Sequence, residues 1–230
     1  MLIAGLQKTS FVDYPGQPCA VVFTPFCNMN CTYCHNAHIL HENPDPVAEE
    51  TVFAYLKKRQ GLLHAVVISG GEPTLQQNLE PFIDEVKALG FLVKLDTNGL
   101  KPAVLQKLIR EKKIDYVAMD IKGPLEKYDA VTRTKVDKDA IIKSITILRN
   151  SGIAHEFRTT FAPELTKEDI LAAAELIRGT EKYYLQQYRT RDDKDPAPHV
   201  PSYVQETAQA VRAAIGVCVV RGLGSEQESV

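Results

Sequence analysis

Residues 19–36 read CAVVFTPFCNMNCTYCHN, and the arrangement of this stretch decides the fold. It begins with a short apolar run, CAVVFT, whose β-branched and aromatic residues are typical of a buried strand. A loop that contains three cysteines follows at once. The same arrangement, a buried run that ends in a polar or glycine-rich turn, recurs along the chain. This recurrence makes residues 19–36 one unit of a larger pattern.

Further apolar runs of the same kind predict more strands, and amphipathic segments between them predict helices. The runs are AVVISGG (65–71), FLVKLDTNG (91–99), DYVAMDIKG (115–123), HEFRTTFAP (155–163), KYYLQQYR (182–189) and VCVVRG (217–222). The helical patterns cover residues 47–60, 77–89, 102–112, 138–151, 166–178 and 202–214. Repeated strand–helix alternation favours a parallel sheet with right-handed crossovers. We therefore predict an α/β fold, a partial (β/α)6 barrel with its helices outside.

The alternation continues without an obvious break, so we predict a single domain over residues 1–230 with its core at about 18–190. The segment TRDDKDPAPHVP (190–201) is charged and rich in proline, which is typical of a loop. A last helix and strand follow it. The region 190–230 is therefore expected to form a loop, a helix and a strand that extend the same domain.

Composition excludes several classes of protein. The 230 residues carry 27 basic and 29 acidic side chains, a net charge of −2, which argues against nonspecific binding to nucleic acid or to a membrane surface. No stretch approaches the roughly 18 consecutive apolar residues of a transmembrane helix, and the first residues lack the pattern of a signal peptide. The five cysteines do not form the even, spread set of a secreted disulfide framework. We expect a cytoplasmic protein.

Polar residues gather where the predicted strands end. The relevant segments are GGEPT, DTNG, DIKG and QQYR, together with the cysteine loop. In parallel α/β folds the carboxyl ends of the strands lie at one edge of the sheet, and binding groups collect there. The topology alone therefore predicts one convergent site.

The cysteine loop permits three interpretations. Its spacing, Cys-x3-Cys-x2-Cys, is too tight for separate helices and fits a loop around one small object. A zinc site would need a fourth ligand, which one of three nearby histidines could supply: His35, His38 or His41. A closed iron–sulfur cluster would need a fourth cysteine, but Cys19 and Cys218 have no signature spacing. The third interpretation is a [4Fe–4S] cluster with three cysteine ligands and one iron open to a small molecule.

Two motifs together resemble a known family. CNMNCTYC is similar to the CxxxCxφC signature of the radical S-adenosylmethionine (SAM) superfamily, in which φ is aromatic and is here Tyr33. GGEP (70–73) resembles the second motif of the same superfamily. More narrowly, GLQKTSFVDYPG followed by CNMNCTYCHN resembles activating proteins of anaerobic ribonucleoside-triphosphate reductase. DTNG (96–99) and DIK (120–122) resemble motifs of pyruvate formate-lyase activating enzymes, and the likeness extends from residue 3 to about 190.

The resemblance implies a radical SAM barrel that binds a [4Fe–4S] cluster and SAM. It assigns the cluster to three cysteines: Cys27, Cys31 and Cys34. It also implies that the glycine-rich motif meets the amino end of SAM, through Gly70, Gly71 and Glu72. The alternative for that motif is an ordinary turn that leads into a helix. Tyr33, beside the last cluster ligand, would line the adenine end of the pocket.

Acidic and basic residues at later strand ends are further candidates for the SAM site. By resemblance, Asp96, Asp120 and Lys122 would contact the ribose and methionine parts of SAM or a monovalent cation, although Asp96 could simply form an Asx turn. Arg158 lies in an otherwise apolar strand and needs an anionic partner. That partner is either the SAM carboxylate or an internal Asp or Glu. Gln187 could reach the adenine or ribose, where related activating enzymes tend to carry histidine.

The partners also follow from the resemblance. It implies that the protein abstracts a hydrogen from a glycine of a glycyl-radical enzyme, most simply an anaerobic ribonucleotide reductase. Residues 34–70 contain no cysteine beyond Cys34, so an inserted ferredoxin-like part is not expected there. The electron would then come from outside, from a flavodoxin or a ferredoxin. The alternatives are activation of another glycyl-radical enzyme of the pyruvate formate-lyase type, a different peptide or small-molecule substrate, or a module that carries electrons or zinc without catalysis.

Overall fold

The computed structural model describes residues 1–43, 45–189 and 199–223. Its eight strands form one sheet in which the strand order follows the chain. The strands are β1 Gly5–Ser10, β2 Cys19–Thr24, β3 Ala65–Gly70, β4 Leu92–Thr97, β5 Tyr116–Asp120, β6 Ala154–Phe161, β7 Tyr183–Gln187 and β8 Val219–Arg221. β1 pairs with β2 antiparallel, and every later pairing is parallel.

Helices follow the parallel strands in turn. They are α1 Glu49–Lys58, α2 Leu79–Ala88, α3 Pro102–Arg110, α4 Tyr128–Thr132, α5 Lys138–Ser151, α6 Lys167–Glu175 and α7 Pro201–Ile215, with short 3₁₀ turns at Ala37–Ile39 and Pro73–Leu75. The six units from β2 to α7 confirm the predicted (β/α)6 arrangement. Each of these α-helices contributes buried side chains to the same large core, which places them on one face of the sheet.

The two faces of the sheet have different chemistry because side chains alternate along each strand. Val66 and Ile68 of β3 pack into the large core beneath the helices. Ala65 and Val67 of the same strand belong to a second, smaller cluster with Tyr14. We call the helix-free side of the sheet the inner face. Its apolar residues in β2 and β3 include Val21 and Val67, and polar and charged side chains gather at the carboxyl ends of the strands, where the site lies.

The ends of two helices, α5 and α6, are fixed by capping residues. Asp137 caps α5 by accepting a hydrogen bond from the Ala140 N–H, at 3.2 Å. The helix stops at Gly152, whose φ of 71° is a left-handed conformation that glycine adopts without strain. Thr166 and Asp169 form a capping box at the start of α6. The predicted helices agree with the observed ones to within a few residues, and α4 is an additional short helix that was not predicted.

Strand β1 was not predicted. Most of its side chains are exposed or half-buried, so the sequence GLQKTS lacks the alternation that marks a half-buried strand. It is held by backbone pairing with β2, from Gly5 opposite Phe23 to Ser10 opposite Cys19, with a register shift between Gln7 and Ser10. An edge strand of this kind depends on its neighbour and leaves little trace in hydrophobicity.

The predicted C-terminal segment is described in part. The helix and strand expected after residue 201 are present as α7 and β8. The predicted loop at 190–201 lies mostly outside the described residues, as does the chain after residue 223. Across the described ranges, none of the helices combines the length and apolar character needed to cross a bilayer.

Candidate active site

A single cavity at the carboxyl ends of the parallel strands brings together all the predicted site residues except Gln187. It is lined by the cysteine loop and by the ends of β3, β4, β5 and β6. The lining residues are Cys27, Met29, Cys31, Tyr33, Cys34, His35, Asn36, Leu40, Ser69, Gly70, Gly71, Glu72, Asp96, Thr97, Asn98, Asp120, Lys122, Arg158 and Thr160. The convergence predicted from topology is therefore present.

The three clustered cysteines all face this cavity and are half-buried. Burial raises the pKa of the Cys27 thiol to about 12, although a hydrogen bond from the Met29 N–H, at 3.4 Å from Sγ, opposes the effect. Burial likewise raises the pKa of Cys31. Thiols in such surroundings become thiolates when a bound metal centre supplies positive charge. The donor set therefore suits a group with several iron ions.

Of the other candidate ligands for a closed site, His35 lines the cavity, whereas Cys19, Cys218, His38 and His41 do not. Cys19 is buried at the start of β2, where its Sγ lies 3.6 Å from the Ser10 carbonyl oxygen. Cys218 is buried in the core on the helix side of the sheet. His35 lines the cavity, but its Nε2 lies 2.8 Å from the carbonyl oxygen of Arg189. Within the described ranges, no three His, Cys, Asp or Glu side chains already stand close enough to hold one metal ion.

The glycine-rich turn after β3 packs directly against the cysteine loop. A Cβ on Gly71 would lie 2.0 Å from the carbonyl oxygen of Phe26, the residue before the first cluster cysteine. Gly70 has a φ of 113°, and its carbonyl oxygen accepts a hydrogen bond from Asn36 Nδ2 at 3.0 Å. Two glycines are needed here because backbone meets backbone. The motif therefore positions the cysteine loop as well as lining the cavity.

Glu72 has a role that the sequence did not suggest. Its carboxylate is buried, with 1% of the residue exposed. One oxygen accepts hydrogen bonds from Thr74 and from Thr97 Oγ1, at 2.8 Å, and the other accepts the Asn98 N–H at 2.7 Å. Burial raises the pKa of this carboxyl group, and the hydrogen bonds only partly offset that effect. Glu72 thus joins the turn after β3 to the turn after β4, so the structure gives no support to a direct SAM contact by its carboxylate.

A network of buried charges covers the ends of β4, β5 and β6. Asp96 Oδ1 accepts from Lys94 Nζ at 2.7 Å, and Asp120 Oδ2 accepts from Lys122 Nζ at 3.2 Å. The Arg158 guanidinium lies between the two carboxylates, 2.9 Å from Asp120 Oδ1 and 3.3 Å from Asp96 Oδ2. Three cations and two carboxylates leave this group of five with a formal charge of +1. Of the three cations, Lys122 and Arg158 line the cavity, where they could meet an anionic portion of a ligand.

The carboxylates of the network are strongly stabilised in their charged form. Burial by itself would raise the pKa of Asp120, but Arg158 and Lys122 outweigh burial and lower it to about 2. Burial also opposes the charge of Asp96, and Arg158 with Lys94 again outweighs it and lowers the pKa. The two alternatives for Arg158 are thus resolved in part: its partners in this structure are internal aspartates.

Tyr33 closes one wall of the cavity. Its ring is buried, and Lys122 Nζ lies 5.7 Å from the ring centroid, within the range of a cation–π contact. Its hydroxyl is buried without a hydrogen-bond partner among the described residues. Burial raises the pKa of this phenol. A buried hydroxyl of this kind can donate to a ligand that enters the cavity.

Gln187 is not among the described residues that line the cavity. Its Nε2 donates to the carbonyl oxygen of His199 at 2.9 Å, which ties the end of β7 to the start of α7. Thr160 of β6 lines the cavity instead. Side chains alternate between faces along a strand, so a position near a strand end is not by itself evidence of orientation into the cavity.

Several site residues were missed from the sequence. Lys94 is buried at 2% exposure within the apolar strand β4, and a charged residue in such a run is itself a signal. Asn98 belongs to the recognised DTNG segment but was not singled out. Thr160 and Ser69 carry no comparable signal, because threonine and serine are common in strands for many reasons.

Comparison with known proteins agrees with this geometry. The family model described as the radical SAM superfamily matches residues 21–177, more than half of the chain. The chain belongs to the radical SAM superfamily. Its radical SAM relatives include a Methanocaldococcus jannaschii protein provisionally named a glycyl-radical enzyme activating enzyme. That protein is 38% identical over 200 residues, which is 84% of this chain and 82% of the relative. Another is the pyruvate formate-lyase-activating enzyme of Clostridium pasteurianum, 30% identical over 203 residues and 82% of each chain.

A solved structure has a similar fold. Streptococcus suis SuiB, bound to its precursor peptide SuiA, superposes with a TM-score of 0.71 at 16% identity over 88% of this chain. The match spans about half of that larger protein, 48% of its length, and indicates a common fold only. Membership of the superfamily makes this chain an enzyme whose cofactors are a [4Fe–4S] cluster and SAM. The three cavity thiols and the unpartnered Tyr33 hydroxyl fit that assignment.

Proposed function

We propose that this protein is an activating enzyme that generates a glycyl radical on an anaerobic enzyme partner, most specifically a ribonucleotide reductase. The observation that carries the proposal is one cavity that is lined both by three thiols and by the Asp96–Arg158–Asp120 group. The names of its relatives point to glycyl-radical activation. The ribonucleotide reductase partner rests on the likeness of residues 5–16 and 27–36 to that group of activating proteins.

The residues of this chain divide the task. Cys27, Cys31 and Cys34 would hold the cluster as thiolates. A [4Fe–4S] cluster bound there would supply the electron for reductive cleavage of SAM to methionine and a 5′-deoxyadenosyl radical, and that radical would take a hydrogen atom from the partner's glycine. The backbone at Gly70 and Gly71 meets the amino end of SAM. These assignments depend on the cavity and on the family motifs together.

The charged side chains of the cavity would orient SAM. Lys122 and Arg158 line the cavity and would attract the methionine carboxylate, and Lys122 lies over the ring of Tyr33. Arg158 holds Asp96 and Asp120 in place while it faces the same cavity. Burial of these groups keeps water away from the reacting atoms, where ordered charges act most strongly.

A monovalent cation at Asp96 and Asp120 stays a prediction and faces competition. Each of the four carboxylate oxygens already accepts a hydrogen bond from a protein donor: Lys94, Ser69, Arg158 or Lys122. A cation would share these oxygens with the existing donors, as Ser69 and Arg158 already share Asp96 Oδ2. An external flavodoxin or ferredoxin is the proposed electron source.

The test uses anaerobically reconstituted protein. We expect about four irons with labile sulfide per chain, and cleavage of SAM to 5′-deoxyadenosine and methionine after reduction. With an anaerobic ribonucleotide reductase, a glycyl radical should appear in the electron paramagnetic resonance spectrum. A parallel reaction with pyruvate formate-lyase tests the alternative partner. Failure of a fully loaded protein to cleave SAM would refute the proposed chemistry, whereas cleavage without a glycyl radical on either partner would refute the activating role.

A further inference from the structure

Asn98 connects the DTNG turn to the first cluster cysteine. Its Nδ2 lies 3.8 Å from Cys27 Sγ and 2.8 Å from Asn28 Oδ1, and 6% of the residue is exposed. A hydrogen bond to sulfur is longer than one to oxygen, and the 3.8 Å distance from Asn98 Nδ2 to Cys27 Sγ is near the upper limit for such a bond. The same sulfur also accepts the Met29 N–H at 3.4 Å. Cys27 is therefore a cluster ligand with two nitrogen donors directed at it.

The orientation of the Asn98 amide is fixed by its other contacts. Asn98 Oδ1 accepts the Leu100 N–H at 3.1 Å, so the NH₂ group of the same amide must face Cys27 and Asn28. An amide turned by 180° would place its NH₂ group against the Leu100 N–H and lose every one of these bonds. The assignment of nitrogen and oxygen therefore follows from the hydrogen-bond network.

Glu72 holds the backbone from which this amide projects. Its Oε2 accepts the Asn98 N–H at 2.7 Å, and its Oε1 accepts from Thr97 Oγ1. Three segments are thereby joined in series: the GGEP turn, the DTNG turn and the cysteine loop. The donor to Cys27 is held in a rigid frame that includes a buried carboxylate.

We infer that Asn98 is a positioning residue that sets the reduction potential of the cluster through its N–H···S contact with Cys27, and that Glu72 holds it there. A donor to a cysteinyl sulfur withdraws electron density and stabilises the more negatively charged, reduced cluster. Its removal makes the cluster harder to reduce. This inference depends on the proposed function only in that it requires a cluster at the three cysteines.

The test is a redox titration of the reconstituted protein, followed by the electron paramagnetic resonance signal of the reduced cluster. Asn98→Ala removes the donor. Asn98→Asp keeps an oxygen that can accept the Leu100 N–H but replaces the donor with a negative charge. We expect the equilibrium constant for one-electron reduction to fall several-fold in the alanine variant, toward the tenfold change that corresponds to ~59 mV. The aspartate variant should fall further.

Asn30→Ala is the matched control. Asn30 is an exposed asparagine of the same loop, between Cys27 and Cys31, and its removal should leave the potential unchanged. Glu72→Gln should shift the reduction potential in the same direction as Asn98→Ala. In a double variant that also carries Asn98→Ala, the additional shift caused by Glu72→Gln should be smaller. A wild-type potential in both Asn98 variants, with the cluster signal intact, would overturn the inference. A wild-type protein that binds no cluster would instead refute the proposed function, so the two failures are distinguishable.

Discussion

The guanidinium Nε of Arg158 lies 2.9 Å from Oδ1 of Asp120, and this pair joins the ends of two neighbouring strands inside the cavity. The same guanidinium reaches Asp96 on β4, so one side chain connects three strands. Both side chains of the second contact are only 13% exposed. A planar group with five donors suits such a bridge, whereas a lysine could not hold both carboxylates in the same way.

Replacing Arg158 tests the structural role of this bridge. Arg158→Ala leaves two largely buried carboxylates with fewer cations, and we expect the free energy of unfolding to fall by about 3 kcal/mol. Arg158→Lys should lose less, because the positive charge remains. Urea denaturation measures the difference. The exposed Arg110, which pairs with Glu111 at the surface, is the control, and Arg110→Ala should change stability by less than about 0.5 kcal/mol. Equal stability of the two alanine variants would contradict the prediction.

The titration of Asp120 makes the free energy of unfolding depend on pH in the acid range. Its pKa is lowered to about 2 in the folded protein, whereas an aspartate in an unfolded chain has a pKa of about 3.9. Because the folded value is the lower one, the stabilisation is fully present above pH ~4 and is lost as the pH falls toward 2. The loss is on the order of 2 kcal/mol. Urea denaturation of the cluster-free protein between pH 5 and pH 2 measures it.

Two variants distinguish the titration of Asp120 from the titration of other carboxyl groups. Asp120→Asn should lower stability at neutral pH and show a shallower decline between pH 4 and pH 2, since its side chain does not titrate. Glu126→Gln changes an exposed carboxyl group and should keep the wild-type slope. An unchanged slope in Asp120→Asn would show that other groups account for the acid loss.

Much of the fold could be predicted from the sequence, because the signals for single strands and helices agree with the strand–helix alternation of the whole chain. Strands such as AVVIS and capped helices such as α5 are readable from hydrophobicity and end signals. Their repeated alternation permits few topologies, and the carboxyl ends of parallel strands then define one site. β1 escaped prediction because its pairing with β2, rather than its own side chains, makes it a strand.

The detailed contacts of the site could not be predicted from the sequence, and the reason is physical. The Glu72 carboxylate accepts from Thr97 and Asn98, residues 25 and 26 positions away, and such partners depend on how two turns meet in space. Gln187 lies at the end of β7, on a strand that was predicted, but its side chain donates to the His199 carbonyl oxygen. Family motifs identify which residues matter, whereas the direction of each side chain is decided by packing.

Gly71 tests how closely the two motifs must approach. In Gly71→Ala the new methyl group would collide with the Phe26 carbonyl, which cannot move without shifting the cysteine loop. We expect the variant to lose most of its bound iron and its SAM cleavage. Iron content and 5′-deoxyadenosine formation are the measurements. Gly5→Ala is the control, because a Cβ there would make only an ordinary contact with Phe23, at 3.7 Å. Full iron content in Gly71→Ala would show that the loop has more room than this packing indicates.

The five cysteines allow the three-ligand arrangement to be tested directly. Cys31→Ala should abolish both the cluster and SAM cleavage, because two thiolates cannot hold a four-iron cluster firmly. Cys218→Ala should retain about four irons per chain, since Cys218 lies in the helix-side core, away from the cavity. It should lower stability only modestly, by about 1 kcal/mol, through the loss of one buried sulfur. Iron and sulfide analysis with the electron paramagnetic resonance spectrum distinguishes the variants. Loss of the cluster in Cys218→Ala, or its retention in Cys31→Ala, would show that the ligand set is wrong.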